Sequence, residues 1–188
     1  PLRDPVVASA VLRGIPVVGD IELFAQQLAA GGSRPGAKVL AITGANGKTT
    51  VTSMVEHLCR AAGKDAVAAG NISPAVLDVV MDRGAKQPEV WVLELSSFQL
   101  ETTSTLNADA ATVLNISEDH LDRYAGMNEY SDAKARIYQG CGVQILNCDD
   151  ARSMGMALPG HKVVTFGLDA PHGEQDWGIE RDANDIWL

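Results

Sequence analysis

The sequence is poor in basic residues and has no long apolar run, and each shortage excludes a class of protein. Its 15 lysines and arginines stand against 24 acidic residues, which gives a formal net charge of -9. No Lys/Arg-rich stretch is present, so we expect no nucleic-acid partner, because tracking nucleic-acid phosphates needs a basic surface. No apolar run approaches the ~18 residues of a membrane helix, so we expect no membrane segment. Bound phosphate must therefore be held locally, by backbone N–H groups, one or two cations and metal ions.

Cysteine is also scarce, and the three present, Cys59, Cys141 and Cys148, form no C-x-x-C pair. This pattern predicts neither a disulfide framework nor a zinc site and fits a reducing cytosol. We find no secretory signal pattern, so we expect a cytoplasmic protein. The chain starts at Pro1 and ends on the strand-like triplet Ile186-Trp187-Leu188, so we expect both ends to be cuts through a longer protein.

Between Lys38 and Asn147 the chain alternates apolar runs with helical patterns. Apolar runs without polar alternation are typical of strands covered on both faces. The predicted fold is therefore α/β, with a mostly parallel sheet of the phosphate-loop type flanked by helices. The predicted strands are Val39–Ile42, Ala66–Ala69, Val90–Leu93, Ala110–Ile116 and Val143–Leu146.

The segments before Lys38 and after Asn147 have different sequence patterns. On the N-terminal side we predict a short strand at Pro16–Val18, a helix through Ile21–Ala25 with Asp20 as its N-cap, and a linker at Gly31–Gly36. After residue 159 the chain has short strand-like pieces separated by Asp, Pro and Gly, which predict a small antiparallel sheet near the C-terminus. These pieces are Val163–Phe166, Trp177–Glu180 and Ile186–Leu188.

The segment Gly44–Thr50, Gly-Ala-Asn-Gly-Lys-Thr-Thr, lies between a predicted strand and a predicted amphipathic helix. This is the context that a phosphate-binding loop requires. Its glycines let N–H groups turn toward anionic oxygens, Lys48 neutralises phosphate, and Thr49 is suited to bind magnesium. The standard G-x-x-x-x-G-K-[ST] pattern is not met, because Ile42 occupies its first glycine position. The alternative is a glycine-rich turn with a solvated lysine.

Polar residues follow two other predicted strands. Glu94 ends an apolar run, and ligands of parallel α/β sheets bind beyond the carboxyl ends of strands, so its carboxylate is suited to magnesium. The alternative is a salt-bridged or helix-capping glutamate. The run Asn115–Tyr124 follows the next strand and contains His120 in a polar cluster, whereas His161 and His172 are expected at the surface. Lys134 lies on a predicted helix, where an exposed cation is the ordinary expectation.

Together these segments resemble the Mur ligase family, over the chain from about Gly19 onward. Several separate motifs agree in order and spacing. They are Gly44–Thr50, Gly70-Asn71, Leu93–Glu101, Asn115–Tyr124, and Lys134 with Arg136 and Tyr138. The loop is the variant form seen in Mur ligases and folylpolyglutamate synthetases, and the run Glu94–Glu101 is similar to that of the D-glutamate-adding member.

The resemblance implies roles for particular residues. Lys48, His120 and Lys134 are implied to be catalytic, and one magnesium ion is implied at Thr49 and Glu94. A second magnesium ion is implied at His120 and Lys134, with Lys134 carbamylated by CO2 in the family. The residues implied to bind ATP are Gly44, Asn46, Gly47, Lys48, Thr49 and Thr50, and those implied to face the substrate are Asn71, Ser96 and Gln99.

The implied activity is that of an ATP-dependent amide ligase. It adds D-glutamate to UDP-N-acetylmuramoyl-L-alanine through an acyl phosphate, a step of peptidoglycan precursor synthesis. The family has three domains, which implies that residues 1–35 are the tail of an N-terminal UDP-binding domain with its linker. Residues 36–188 are then the central ATP-binding domain, and the C-terminal ligase domain is absent. We expect the isolated chain to be inactive and a monomer.

Three alternatives stay open from the sequence. Another ligase of the superfamily, such as a folylpolyglutamate synthetase, is disfavoured by Ser96–Gln99. A GTPase switch needs a guanine-selecting Asn-Lys-x-Asp, whereas Asn147-Cys148-Asp149-Asp150 lacks the lysine. The third alternative is a regulatory module that binds a nucleotide through the same loop but catalyses no reaction.

Overall fold

The structure, a computed structural model, describes residues 4–31, 36–120, 122–182 and 185–188. The main sheet contains β1 (Lys38–Thr43), β2 (Ala66–Gly70), β3 (Val90–Glu94), β4 (Ala110–Val113), β5 (Val143–Asn147) and β6 (Lys162–Phe166). A second sheet contains β7 (Glu180–Arg181) and β8 (Ile186–Trp187). The helices are α1 (Pro5–Leu12), α2 (Asp20–Ala29), α3 (Lys48–Ala61), α4 (Val76–Arg83), α5 (Ser97–Leu100), α6 (Met127–Ala135) and α7 (Ala151–Met154), and a 3-10 turn spans Arg136–Tyr138.

The main sheet has six strands in the order β2-β3-β1-β4-β5-β6, and every neighbouring pair is parallel. The predicted α/β fold with a mostly parallel sheet is therefore confirmed. After β1 the chain builds β2 and β3 on one side and then crosses to β4 on the other, so the strand order reverses at β1. In sheets of this kind, ligands bind in the crevice at the carboxyl ends of the strands where the order reverses.

Apolar side chains cover both faces of this sheet. The larger core cluster packs α2, α4 and α6 against one face, and its fully buried members include Trp91, Leu93 and Tyr138. The smaller cluster lies under α3 and contains Ile42, Val92 and Leu114. Because both faces are covered, the strands are continuous apolar runs, and this made them predictable.

The helix α2 is an integral part of the larger cluster. Ile21 and Phe24 are fully buried, and the Phe24 ring meets Trp91 edge-on with the ring centroids 4.8 Å apart. The Glu22 carboxylate is also buried and accepts hydrogen bonds from the backbone N–H groups of Ser104 and Thr105, at 2.7 and 3.0 Å. This helix is therefore fixed to the segment that follows α5.

The predicted small antiparallel sheet is confirmed for β7 and β8. Assigning Val163–Phe166 to it was wrong, because these residues belong to β6 and pair in parallel with β5 in the main sheet. Trp177 joins the same edge through an isolated parallel bridge to Phe166. A short strand at a sheet edge has the same local sequence pattern in either sheet, so the pattern did not identify its partner.

The N-terminal flank also differs from the prediction. Pro16–Val18 does not form a strand, and a helix that was not predicted, α1, begins earlier at Pro5 after an Asp4 cap. Asp20 is the first residue of α2 rather than its N-cap, which is Gly19. Within the predicted linker, residues 32–35 lie outside the described residues.

Three further predictions can be compared with the structure. The β4 strand ends at Val113, short of the predicted Ile116, so the polar run after it starts within a loop. His161 and His172 are exposed, as predicted. In the described part of the chain, no helix combines the length and apolar character needed to cross a lipid bilayer.

Candidate active site

The loop between β1 and α3 is bent tightly at the carboxyl edge of the sheet. Gly47 has φ 79°, in the left-handed region that glycine adopts without strain, and it directly precedes the first residue of α3. A Cβ on Gly44 would lie only 3.0 Å from the Leu114 Cβ, so the loop passes close to the chain after β4. Lys48 folds back over this loop, and its Nζ donates to the carbonyls of Gly44 and Ala45 at 3.1 and 3.2 Å. Thr49 and Thr50 are exposed on the first turn of α3.

Lys134 lies inside the protein beside the same loop. Only 2% of the residue is exposed, which overturns the ordinary expectation of an exposed cation. Its Nζ donates to the Gly44 carbonyl at 2.9 Å and to the Thr43 hydroxyl at 3.3 Å, and it lies 4.8 Å from the centre of the Tyr130 ring. Lys48 and Lys134 therefore donate to the same carbonyl oxygen.

Burial and the nearby charge of Lys48 lower the pKa of Lys134 to about 7, against the opposing effect of Asp119. A substantial fraction of this amine is therefore uncharged near neutral pH, which is unusual for lysine. A neutral amine is a nucleophile, whereas an ammonium group is not. The arrangement thus suits Lys134 to chemistry on its nitrogen.

Glu94 ends β3, the neighbour of β1, and pairs in register with Ile42. The residue is 2% exposed, and its Oε1 accepts a hydrogen bond from Asn71 Nδ2 at 3.0 Å. Its Oε2 is buried without a hydrogen-bond partner. An unpaired buried carboxylate oxygen is costly unless a cation or a donor satisfies it.

His120 lies on the loop after β4 with φ 52°, an uncommon conformation for a residue with a side chain. Its backbone carbonyl accepts hydrogen bonds from the N–H groups of Arg123 and Tyr124. Its ring packs between Phe98 and Tyr130, with centroid distances of 4.8 and 6.4 Å, and is partly exposed. The next residue, Leu121 of the predicted polar run, lies outside the described residues.

Phe98, which supports the His120 ring, is itself held by a polar cluster. The Arg123 guanidinium lies 4.1 Å from the centre of the Phe98 ring and pairs with Glu101 at 2.6 Å. Tyr124 donates its hydroxyl to the same carboxylate at 2.7 Å. Burial, together with the Glu101 carboxylate, raises the pKa of Tyr124 to about 12, so this hydroxyl keeps its proton. A cleft of about 860 Å³ opens beside this cluster.

The other three predicted site residues lie on the β2 and β3 side of the sheet edge. Asn71 is exposed after β2. Ser96 and Gln99 form a capping box at the start of α5, in which the Ser96 hydroxyl accepts from the Gln99 N–H. The Gln99 side chain also donates to the Asp20 carboxylate at 3.2 to 3.3 Å. The Ser96 and Gln99 side chains therefore form hydrogen bonds that cap α5 and join it to α2.

The structure brings Lys48 and Lys134 into one cluster and places His120 next to it through Tyr130. Glu94 stands on the adjacent strand, but within the described residues no hydrogen bond or ion pair joins Thr49 or Glu94 to His120. Among those same residues, no group of three His, Cys, Asp or Glu side chains could hold a metal ion by itself. A metal here needs further oxygen ligands, such as phosphates.

Sequence reasoning missed three contributors to this site, Asn115, Asp119 and Tyr130. Asp119 and Tyr130 influence Lys134 from neighbouring segments, and Asn115 contacts the phosphate loop. Asn115 had a usable signal, because it is the first polar residue after the apolar run of β4. The other two were hidden, since only the folded chain places them beside the lysine.

Comparison with known proteins gives matches to one family. The family model described as the Mur ligase middle domain matches residues 42–186. The UDP-N-acetylmuramoylalanine–D-glutamate ligase of Methylobacillus flagellatus is 58% identical over the whole chain, and that of Aromatoleum aromaticum is 55% identical over 99% of it. The chain spans only 40% and 41% of the length of these two relatives.

Solved structures share the fold. A UDP-N-acetylmuramoyl-L-alanyl-D-glutamate–2,6-diaminopimelate ligase matches with a TM-score of 0.67 and 24% identity, over 85% of this chain and 37% of that one. The D-alanyl-D-alanyl-adding ligase of Acinetobacter baumannii matches with a TM-score of 0.59 and 25% identity, over 80% of this chain and 36% of that one.

Proposed function

The chain belongs to the Mur ligase family, as its middle domain, and from this premise we propose that it is the ATP-binding part of a D-glutamate-adding ligase. The full enzyme joins D-glutamate to UDP-N-acetylmuramoyl-L-alanine in the cytoplasm, as a step of peptidoglycan precursor synthesis. The names and identities of the two relatives support this choice within the family. The observation that carries the proposal is the convergence of Lys48 and Lys134 on the Gly44 carbonyl, where the strand order reverses.

ATP is proposed to bind with its phosphates on the loop Gly44–Thr50. Lys48 is the counter-charge for these phosphates, and its present bonds to two loop carbonyls keep it beside the N–H groups that would cradle them. The start of α3, with its partial positive charge, points at the same place. Phosphoryl transfer needs mainly positioning and charge neutralisation, and this loop supplies both.

Magnesium fits the residues at the sheet edge. The unpartnered, buried Oε2 of Glu94 is an oxygen ligand that lacks a cation, and Thr49 offers a hydroxyl on the phosphate loop. We propose Thr49 and Glu94 for one ion, and His120 with Lys134 for a second, each sharing its shell with phosphates. When bound, magnesium neutralises charge on the transferring phosphoryl group.

Lys134 is proposed to react with CO2. Its neutral amine attacks the CO2 carbon and loses a proton, which gives a carbamate. The product replaces a poorly solvated ammonium group with an anionic oxygen ligand suited to magnesium. The low exposure of this lysine and its neighbour Lys48 support the proposal, because both disfavour a charged amine at this place.

The proposed reaction has two steps. The alanine carboxylate attacks the γ-phosphorus of ATP, which forms an acyl phosphate and releases ADP. The D-glutamate amine then attacks the acyl carbon, and inorganic phosphate leaves with one of the original carboxylate oxygens. Lys48 is proposed to hold the phosphates during transfer, and His120 and Lys134 are proposed to lie beside the alanine carboxylate that receives the phosphoryl group.

The substrate is proposed to extend along Asn71, Ser96 and Gln99. Asn71 contacts Glu94 and is exposed, so it is suited to meet the substrate beside the metal. Residues 1–35 are proposed as the tail of a UDP-binding domain with its linker, and residues 36–188 as the ATP-binding domain. The remaining substrate contacts then belong to other parts of the full-length enzyme, so the chain alone is expected to lack ligase activity.

An acceptor panel on the full-length enzyme tests this function. ADP release is measured with UDP-N-acetylmuramoyl-L-alanine and ATP while D-glutamate, L-glutamate, D-alanine, L-lysine and diaminopimelate are offered in turn. We expect ADP release and an amide product with D-glutamate only. Preference for another amino acid would replace the proposed acceptor, and tight ATP binding without any product would favour a regulatory module.

A further inference from the structure

In the loop after β4, Asn115 forms three hydrogen bonds with the phosphate loop. The backbone N–H of Asn46 donates to Asn115 Oδ1 at 2.8 Å, and Asn115 Nδ2 donates back to the Asn46 carbonyl at 3.1 Å. The Asn115 carbonyl also accepts from the Ala45 N–H at 2.9 Å. One residue therefore binds both backbone polar groups of Asn46 and the backbone N–H of the residue before it, within the phosphate loop.

The residues on either side of Asn115 are also held by hydrogen bonds. Asp150 accepts the Ile116 N–H at 2.7 Å, and Asn147 Nδ2 donates to the Leu114 carbonyl at 2.8 Å. Leu114 is thus tied to the last residue of β5, and Ile116 to the turn that follows this strand. Asp150 also caps α7 by accepting from the N–H groups of Arg152 and Ser153. Asn115 is consequently held from behind by a second strand end.

A further hydrogen bond joins the phosphate loop to the segment that leads to His120. Asn46 Nδ2 donates to the Ser117 hydroxyl at 3.1 Å, three residues before His120. The phosphate loop and the segment that carries His120 are therefore joined at two successive points, Asn115 and Ser117. Moving the phosphate loop away from the segment that carries His120 would therefore break these hydrogen bonds.

We infer that Asn115 is a positioning residue that holds the phosphate loop open to nucleotide before ATP arrives. The inference rests on the proposed function, because it assumes that Gly44–Thr50 binds phosphate. An asparagine amide offers one acceptor and one donor in the plane of a peptide group, as the Asn46 peptide groups require. Aspartate keeps the acceptor but sets a carboxylate oxygen against the Asn46 carbonyl, and alanine removes both bonds. Holding the loop in its binding shape removes an ordering cost from nucleotide binding.

Nucleotide binding to the full-length enzyme tests the inference. The dissociation constant of Mg-ATP is measured by calorimetry for wild type, Asn115→Ala and Asn115→Asp, with Asn128→Ala as matched control. Asn128 is an exposed asparagine on α6 that accepts one hydrogen bond from Arg152, at 3.0 Å. We expect both Asn115 variants to bind Mg-ATP about tenfold or more weakly, because alanine loses two hydrogen bonds and aspartate loses one and sets a carboxylate oxygen against the Asn46 carbonyl. The control variant should bind as wild type does.

Steady-state kinetics separate positioning from general damage. For Asn115→Ala we expect the KM for ATP to rise about tenfold while the KM for the muramoyl substrate stays within about twofold of wild type. Wild-type ATP affinity in both Asn115 variants overturns the inference and leaves the ligase proposal intact. A lower Tm with equal losses for every substrate also overturns it, because that is a structural role. If the wild-type enzyme itself binds no Mg-ATP, the proposed function fails first.

Discussion

Two lysines that differ in exposure share one carbonyl oxygen in this protein, and their roles are separable by substitution. Lys48 donates to two carbonyls of the loop Gly44–Thr50, where its cation is proposed to balance the phosphates of ATP. Lys134 comes from α6, far along the chain, and is buried. The first lysine is proposed to be needed for its charge, and the second is proposed to be needed as an uncharged amine.

Replacing Lys48 by alanine in the full-length enzyme should lower kcat/KM by at least about a hundredfold, because it removes the counter-charge of the phosphates. Lys64→Ala is the matched control, since Lys64 is an exposed lysine just beyond the end of α3. Ligation rates with D-glutamate are the measurement. Activity of the Lys48 variant within a few-fold of wild type contradicts the assignment.

Replacing Lys134 by alanine should abolish ligation in a different way. Short carboxylic acids such as acetate should restore part of the activity, because their oxygens occupy the place of the proposed carbamate. The same acids should leave the Lys48→Ala enzyme inactive, which makes that variant the control. Full activity of Lys134→Ala without additives removes this lysine from the mechanism.

Among the elements, α2 is held by its apolar side chains in the core and also by one buried carboxylate, that of Glu22. Burial alone raises the pKa of Glu22, but hydrogen bonds from Ser104, Gln26 and Thr105 outweigh it and lower the pKa to about 2. The ordinary glutamate value is 4.5. A pKa lowered by folding means that the carboxylate stabilises the fold at pH values above 4.5, and that this stabilisation is lost as the pH falls toward 2.

Glu22→Gln should therefore destabilise the chain by about 2 kcal/mol at pH 7, since the NH2 group of glutamine would replace one of the two carboxylate oxygens, both of which accept hydrogen bonds. The difference from wild type should shrink at pH 3. Urea unfolding at the two pH values measures both effects, with the exposed Glu174→Gln as control. A difference independent of pH would show that the charge of Glu22 plays no part.

Strands and turns were predictable from the sequence where a constraint within the segment itself restricts the residue types. The continuous apolar runs of β1 to β5 and the glycines of the phosphate loop are visible in the sequence, because burial on both faces and a tight turn restrict residue type. The partner of Val163–Phe166 was not visible, since strand pairing depends on the whole sheet. The burial of Lys134 and the hydrogen bonds between Asn115 and Asn46 depend on contacts between distant segments. The position of Asn115 after the apolar run of β4 was visible in the sequence, but its contacts were not.

Over the whole molecule, the first two helices differ in what they contribute. In α1 no residue is buried, whereas α2 places Ile21 and Phe24 in the main core. The boundary proposed at residue 35 lies where the sequence pattern changes. In the structure, α2 precedes this boundary but packs on the elements that follow it.

Truncation distinguishes the two helices. A chain starting at residue 15 should unfold at nearly the same urea concentration as the complete chain. A chain starting at residue 36 should lose at least about 4 kcal/mol, because two large buried side chains are removed. Equal stability of the two truncated chains contradicts the packing of α2.

The ATP site is proposed to activate a carboxylate, and isotope transfer tests this most directly. The full-length enzyme is given UDP-N-acetylmuramoyl-L-alanine labelled with oxygen-18 in its alanine carboxylate, together with ATP and D-glutamate, and the released phosphate is analysed by mass spectrometry. We predict one labelled oxygen in each phosphate formed, since the carboxylate oxygen attacks the γ-phosphorus and leaves with it. Unlabelled phosphate accompanying amide formation would contradict the account, because the carboxylate would then never have been phosphorylated.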